Sequence, residues 1–149
     1  DEYLGDRNSH ACAIRRALDY APCTQVGIRS LSTEEAGVVE SLPTTIFYDT
    51  KMRAHSTWMH DVVETLHEKV YITIDCDGLD PAVMPAVGTP EPGGLGWREL
   101  LALLRLTFQK REVVGCDVVE LCPVPGLVHP NFLCAKLVYK LLTYRLAGG

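Results

Sequence analysis

The chain has 149 residues, of which 47% are hydrophobic, and carries a formal net charge of −5. This length suits one domain, and the apolar content is too high for an intrinsically disordered chain. The negative charge offers no electrostatic attraction to nucleic acid or to an anionic membrane. No apolar run approaches the roughly 20 residues that a membrane-spanning helix needs.

Helix-like and strand-like segments alternate along the chain. Hydrophobic periodicity and capping signals predict helices over residues 9–20, from 33 onward, and over 56–68, 97–109 and 131–146. Strands are predicted over residues 25–29, 45–48, 70–74 and 113–121. Such alternation predicts an α/β fold in which helices cover a parallel sheet. Because the strands are nearly continuous Val and Ile runs, we expect them to be buried on both faces.

The most informative segment is YITIDCDGLDP at residues 71–81. An apolar strand ends there in Asp75 and Asp77, and residues i and i+2 of a strand project from one face. Two neighbouring carboxylates repel each other unless a cation lies between them or one of them is protonated. Oxygen ligands of this kind suit a hard or borderline divalent ion, so the pair predicts a metal site. The alternative is a solvated turn in which Asp80 and Pro81 only terminate the strand.

Glu120 follows the apolar run at residues 113–119 and therefore lies at a second strand end. The carboxyl ends of parallel strands are where such sheets bind their ligands. A carboxylate in this position can bind a planar guanidinium through two hydrogen bonds, and we favour this role over that of an exposed loop acid. Asp117 lies three residues earlier, on the opposite face of the strand, and is interpreted as structural.

His10 stands in the segment NSHAC at residues 8–12, at a predicted helix start. It is the candidate for proton transfer, because imidazole exchanges protons near neutral pH. Taken alone, a histidine here is more often a capping or core residue. The other histidines lack close metal-binding spacing and are interpreted as surface or structural residues. They are His55, His60, His67 and His129.

The six cysteines form no C-x-x-C pair, and most lie in apolar runs. We interpret them as reduced, buried thiols of a cytoplasmic protein. The segment GTPEPGGL at residues 88–95 combines prolines that fix the backbone with glycines that allow close approach. It lacks the glycine spacing of phosphate-binding loops, so we expect a rigid loop beside the acids rather than a phosphate site.

Together these blocks resemble the ureohydrolase family of agmatinases, arginases and their relatives. The resemblance rests on IDCDGLDP (74–81), PAVGTP (85–90), GGL (93–95) and DVVE (117–120), preceded by NSHAC (8–12) and QVGIRS (25–30). The blocks follow the family's order, extend over nearly the whole chain and are closest in character to the agmatinases.

The resemblance implies an arginase-like fold, a three-layer α/β/α sandwich with a mostly parallel sheet. Asp75 and Asp77 would be ligands of a centre of two Mn²⁺ ions. His10 would carry a proton beside the substrate, Glu120 would bind the guanidinium and Thr89 would line the pocket. The implied reaction is hydrolysis of a guanidino compound, agmatine ahead of arginine, to urea and an amine by a hydroxide that bridges the metals. Relatives are often trimers or hexamers, so a homo-oligomer is implied as well.

One departure from the family pattern qualifies these roles. The family's Asp-Ala-His-x-Asp motif and a further histidine, which supply the remaining metal ligands, do not occur in this sequence. The chain also begins at Asp1 rather than Met. We therefore expect residues 1–149 to be the C-terminal part of a single ureohydrolase domain, without its N-terminal strands and with negligible activity by itself.

Two alternatives remain open at this point. The chain could be a non-catalytic, ureohydrolase-like remnant or assembly subunit that binds a partner through an exposed sheet edge. It could also be a different metal hydrolase or transferase that uses an Asp-x-Asp strand end. The second alternative leaves the loop at residues 88–95 and Glu120 unexplained.

Overall fold

The computed structural model describes residues 2–147, and within them helices and strands broadly alternate. The strands are β1 (Cys23–Ile28), β2 (Thr44–Tyr48), β3 (Lys69–Asp75) and β4 (Glu112–Val119). The helices are α1 (Ala13–Ala17), α2 (Thr33–Val38), α3 (Asp49–Met52), α4 (Trp58–Glu64), α5 (Trp97–Lys110) and α6 (Val128–Ala147). Short 3-10 turns occupy His10–Cys12, Val39–Ser41 and Cys76–Gly78.

Each predicted strand and helix is present, and the boundaries differ most for the helices. The segment predicted as a helix over 9–20 is a 3-10 turn followed by α1, and the one predicted over 56–68 folds only as α4. Helix α3 was not predicted. Helix α2 begins after Ser32, whose hydroxyl accepts the N–H of Glu35 while the Glu35 carboxylate accepts the N–H of Ser32. This reciprocal pair satisfies two backbone donors that the helix start leaves unpaired.

The strands pair in parallel, as the alternation predicts. Strand β1 pairs with β2, and β3 pairs with β4. In the second pair Asp75 lies beside Val119, so Glu120 follows one residue beyond the level of Asp75. Parallel pairing therefore brings the acids of two separate strand ends to one edge of the sheet.

The core lies between one face of β3–β4 and helices α4, α5 and α6. Ile74 of β3 packs there with side chains that all have less than a tenth of their surface exposed. They include Val62, Val63, Leu100, Leu104, Leu137 and Leu141. The apolar spacing of α5 and α6 thus serves to cover one side of the sheet.

The opposite face of β3 is exposed, so the expectation of burial on both faces is wrong for this strand. Tyr71 is 61% exposed, and Thr73 is also open to solvent. The Asp117 carboxylate of β4 accepts hydrogen bonds from the Tyr71 hydroxyl at 2.8 Å and the Thr73 hydroxyl at 2.6 Å. Residues 2–147 leave this face without a second layer, and Asp117 has the structural role expected of it.

Helix α6 is apolar on more than one side. Its inward face includes Leu133, Leu137 and Leu141, which are buried. Large apolar side chains are also exposed on the same helix, namely Val128, Phe132, Val138, Tyr139, Leu142 and Leu146. Within residues 2–147, part of the apolar surface of α6 is therefore uncovered. No helix within residues 2–147 is both long and apolar enough to cross a membrane.

All six cysteines are free, but burial divides them. Cys12, Cys76 and Cys134 are buried, whereas Cys116 and Cys122 are exposed, so the expectation of buried thiols holds only in part. The Cys76 and Cys134 sulfurs lie 3.5 Å apart in the core. Burial and the neighbouring Cys134 thiol raise the pKa of Cys76 to about 12, so it stays protonated near neutral pH.

Helix α6 offers a matched test of the packing. Leu137 is 0% exposed and Leu146 is 86% exposed. Because Leu137→Ala leaves a cavity, we expect it to lower the free energy of unfolding by about 2–5 kcal/mol. Leu146→Ala, on the same helix, should change it by less than about 0.5 kcal/mol. Urea titration followed by circular dichroism measures both, and equal losses would contradict the packing described.

Candidate functional site

The two acids at the end of β3 lie against each other. Asp75 is the last residue of the strand, and its Oδ1 accepts the backbone N–H of Asp77 at 2.8 Å within the following 3-10 turn. Burial of its carboxyl group raises the pKa of Asp75, although the residue stays open to solvent on one side. The charges of Asp77 and Glu120 raise it further, while the N–H of Asp77 acts in the opposite direction.

The loop at residues 88–95 is held against this turn by backbone hydrogen bonds. Leu95 donates its N–H to the carbonyl of Gly78, and Asp80 donates its N–H to the carbonyl of Leu95, both at 3.0 Å. Gly94 has φ +102°, and a Cβ there would lie 2.8 Å from the Gly78 carbonyl oxygen. Only glycine allows the two backbones to approach this closely.

This contact places Thr89 beside the acids. The backbone N–H of Thr89 donates to Asp77 Oδ1 at 3.2 Å. Its main chain therefore supports one of the two carboxylates directly. The loop lies next to the acids, and hydrogen bonds join it to the turn after β3.

Glu120 and His10 meet at the same edge. His10 Nδ1 lies 3.8 Å from Glu120 Oε1, and their side chains are 83% and 40% exposed. His10 is the first residue of the 3-10 turn His10–Cys12. The hydroxyl of Ser9 caps this turn by accepting the N–H of Ala11 at 3.3 Å. Both side chains are thus accessible to a small molecule.

The backbone of Glu120 adopts φ +64°, a left-handed conformation that residues other than glycine rarely occupy. Such conformations cost on the order of 1 kcal/mol or more and occur frequently at functional sites. The strain is therefore located at a residue that the sequence marks as a candidate site residue.

Two arginines support this edge, and the sequence pattern gave neither a role. Arg29 follows β1 and donates to backbone carbonyls of the turn after β3 and of the 88–95 loop. Arg53 donates to the Gly94 carbonyl at 2.8 Å and forms ion pairs with Asp49 and Glu99. These hydrogen bonds to Glu99 and Asp49 raise the pKa of Arg53. In the sequence, Arg29 ends the strand predicted over residues 25–29 and lies in the QVGIRS block, but neither signal indicates what its side chain binds.

The structure brings all five candidate residues together. Asp75, Asp77 and Thr89 are joined by hydrogen bonds, His10 contacts Glu120, and Glu120 lies close enough for its charge to act on Asp75. The four other histidines, His55, His60, His67 and His129, are exposed and lie outside these contacts. The arrangement offers three carboxylates and one imidazole on an open edge of the sheet.

The side-chain oxygen atoms at this edge are of the type that divalent metal ions prefer as ligands. Asp75 and Asp77 provide hard carboxylate oxygens at one point, and the repulsion between them would be relieved by a cation. Within residues 2–147, no group of three or more His, Cys, Asp and Glu side chains is arranged to hold a metal ion. A metal bound by these two aspartates would need further ligands from water or from protein outside the described residues.

Comparison with known proteins identifies similar sequences over almost the whole chain. A model of the arginase family matches residues 1–143. The N(1)-aminopropylagmatine ureohydrolase of Synechocystis sp. is 42% identical over 146 residues, covering 97% of this chain and 48% of that protein. The agmatinase of Pyrococcus horikoshii is 34% identical over 153 residues, covering 95% of this chain and 50% of that protein. The chain spans about half the length of the curated relatives it matches.

Solved structures show the same fold. The agmatine ureohydrolase of Thermoplasma volcanium superposes with a TM-score of 0.84 at 33% identity, covering 97% of this chain and 50% of that one. The arginase of Medicago truncatula gives a TM-score of 0.78 at 30% identity, covering 97% and 47%. These likenesses confirm the arginase-like fold expected from the sequence motifs.

Burial of the Asp75 carboxyl group and repulsion by Asp77 and Glu120 predict a gain in stability when this charge is removed. An acid whose pKa is raised by folding destabilises the folded state once it is ionised. Asp75→Asn keeps an oxygen for the Asp77 N–H, so we expect the metal-free chain to gain about 0.5 kcal/mol of unfolding free energy at pH 7. The gain should vanish near about pH 3, where Asp75 is protonated in both states.

Urea titration of the chain in the presence of a chelator measures this effect. Asp61→Asn on α4 removes the same charge from an exposed carboxylate that is bonded to the Thr57 hydroxyl. This control should show no gain at pH 7. A loss of stability in Asp75→Asn at pH 7 would show that the local repulsion is not the dominant interaction of this carboxylate.

Proposed function

Because this chain belongs to the arginase family, we propose that it forms the part of a hydrolase that cleaves a guanidino group into urea and an amine. The observation that carries the proposal is the convergence of Asp75, Asp77 and Glu120 with His10 at the carboxyl ends of β3 and β4. Three carboxylates on one accessible edge create a negative potential suited to a cationic, planar group.

In this proposal Glu120 binds the substrate. A guanidinium presents paired N–H donors that match the two oxygens of a carboxylate, so a two-point contact fixes both position and orientation. The side chain of Glu120 is 40% exposed, which leaves it accessible to a small cation. Orientation matters because the guanidinium carbon is a poor electrophile, its positive charge being spread over three nitrogens.

His10 is proposed to carry protons. Attack of water on the guanidinium carbon forms a C–O bond, and the C–N bond to the alkyl amine then breaks. The water loses a proton as it attacks, and the departing amine needs a proton as it leaves. We propose that the solvent-accessible imidazole of His10, 3.8 Å from Glu120, accepts the first proton and delivers the second. This distance puts the proton carrier next to the group that binds the cation.

Asp75 and Asp77 are proposed to hold a divalent metal, for which we propose Mn²⁺ and, in the whole protein, a pair of ions. Their carboxylate oxygens match the ligand preference of such ions. When bound, the metal would supply Lewis-acid activation of the attacking water at neutral pH. The N–H groups of Asp77 and Thr89, which donate to Asp75 and Asp77 respectively, would hold these carboxylates in fixed orientations.

Two substrates are compatible with this chemistry. The residues near the helix start and first strand favour agmatine, a guanidino amine, over arginine. N(1)-aminopropylagmatine is the second candidate, because two relatives named for its hydrolysis are 42% and 38% identical to this chain. Both compounds carry the same guanidino group, so Glu120 would bind either in the same way.

The protein encoded by the complete reading frame that contains this chain should release urea with added Mn²⁺. Assays with agmatine, N(1)-aminopropylagmatine and arginine at equal concentrations rank the substrates. Glu120→Gln should lower kcat/KM roughly 10- to 100-fold, because a charge-assisted contact contributes about 1.5–3 kcal/mol. Glu112→Gln, at the other end of β4, is the matched control and should leave kcat/KM unchanged.

The outcomes separate the open interpretations. No urea from any of the three compounds, in a folded protein that binds Mn²⁺, would falsify the proposed reaction and favour another metal-dependent chemistry. Failure to bind Mn²⁺ as well would favour the non-catalytic interpretation.

We expect the 149-residue chain by itself to release negligible urea, because two carboxylates are too few ligands for stable divalent-metal binding. The measurement is urea release from agmatine with excess Mn²⁺. The protein from the complete reading frame, assayed at the same molar concentration, is the reference. Comparable rates in the two samples would show that this chain holds a complete catalytic centre.

A further inference from the structure

The guanidinium of Arg29 reaches from the end of β1 across to the site. Its Nη2 donates to the carbonyl of Asp77 at 2.7 Å and to that of Glu91 at 2.8 Å. Its Nε lies 3.2 Å from the carbonyls of both Glu91 and Pro92. A longer contact of 3.4 Å joins Nη1 to the carbonyl of Gly27. One side chain thus connects three separate segments of backbone.

These partners are all carbonyl groups. Within residues 2–147, Arg29 forms no ion pair with a carboxylate, whereas Arg53 nearby is paired with two acids. An arginine that serves only to balance charge would be expected to face an acid. Arg29 instead satisfies backbone acceptors at the point where the turn after β3 and the 88–95 loop meet.

The contacts of Arg29 close a ring around Asp77. Arg29 holds the Asp77 carbonyl, and the Asp77 carboxylate accepts the N–H of Thr89 at 3.2 Å. The carbonyl of Thr89 in turn accepts the N–H of Glu91 at 2.8 Å, and the Glu91 carbonyl is bound by Arg29. The backbone and the side chain of Asp77 are therefore fixed by the same set of contacts.

We propose that Arg29 is a positioning residue for the metal site, and that it acts by orienting Asp77 and the loop that carries Thr89. The proposal rests on the proposed function, since it takes Asp77 as a metal ligand. Loss of a group that orients a metal ligand typically lowers metal affinity or activity about 10- to 100-fold. A planar fork with five N–H donors suits three acceptor segments, whereas an ammonium offers three donors from a single atom.

Arg111 provides a matched control. It also donates to backbone carbonyls, those of Leu66 at 3.0 Å and Val63 at 2.8 Å, but it lies at the start of β4, the far end of the sheet from the site. Arg111 also donates to the Lys110 carbonyl at 2.9 Å and lies 3.9 Å from the exposed Glu64 carboxylate. Replacing either arginine by methionine removes several hydrogen bonds to backbone carbonyls. We expect the two variants to lose similar amounts of stability, and we expect only Arg29→Met to weaken Mn²⁺ binding.

The experiment measures Mn²⁺ affinity by electron paramagnetic resonance in the protein from the complete reading frame, well below its melting temperature. We expect Arg29→Met to weaken Mn²⁺ binding about 10-fold or more, Arg29→Lys to weaken it less, and Arg111→Met to change it by less than about twofold. In urea-release assays, excess Mn²⁺ should restore much of the kcat of Arg29→Met. A purely structural defect would not respond to the metal concentration in this way.

Equal weakening of Mn²⁺ binding in Arg29→Met and Arg111→Met, or no weakening in the folded Arg29 variants, would overturn the proposal. If Arg29→Met does not fold, the Mn²⁺ affinity of Arg29→Lys relative to that of the wild type tests the proposal instead. Failure of the proposed function would give a different result, in which the wild type binds Mn²⁺ but releases no urea. The comparison of Mn²⁺ affinities between the variants would still test the role of Arg29. A wild type that binds no Mn²⁺ would remove the basis for both.

Discussion

The pairing of the turn after β3 with the loop at residues 88–95 is the constraint on which the rest of the site depends. A strand that ends in two acids would otherwise continue into a free turn. Backbone hydrogen bonds from Leu95 and Asp80, together with the guanidinium of Arg29, fix that turn against the loop. The candidate residues therefore lie at a strand end, in short turns and in a loop, and hydrogen bonds join the turn after β3 to that loop.

The same edge concentrates unfavourable interactions. The charges of Asp77 and Glu120 act on a desolvated Asp75, and Glu120 occupies a left-handed backbone conformation. Each of these raises the free energy of the folded chain, and the core between the sheet and helices α4–α6 must offset it. A bound cation would convert the repulsion into coordination. The same fold therefore combines unfavourable interactions at the acids with a helix-covered core that stabilises the chain as a whole.

Features that follow from the order and spacing of residues could be predicted from the sequence, whereas features that depend on contacts between distant residues could not. Asp75, Asp77 and Glu120 could be placed at one edge because parallel strands end together, His10 was a candidate proton carrier from its residue type and position, and the family resemblance added Thr89. Arg29 could not be found, because its partners are carbonyl groups, which every residue carries and no sequence distinguishes. The exposed face of β3 was also missed: an apolar strand indicates burial, and the second layer that would supply it is not part of residues 2–147.

Gly94 shows how a residue without functional groups can restrict the substitutions that a site accepts. A Cβ at this position would lie 2.8–3.0 Å from atoms of the Gly78, Leu79 and Asp80 backbone, which cannot rotate away as a side chain could. Even alanine would therefore push apart the two segments that present the acids. We therefore expect any side chain at position 94 to disturb the site, although glycine itself has no part in its chemistry. Intolerance to substitution on this edge of the sheet therefore does not by itself identify the residues that perform chemistry.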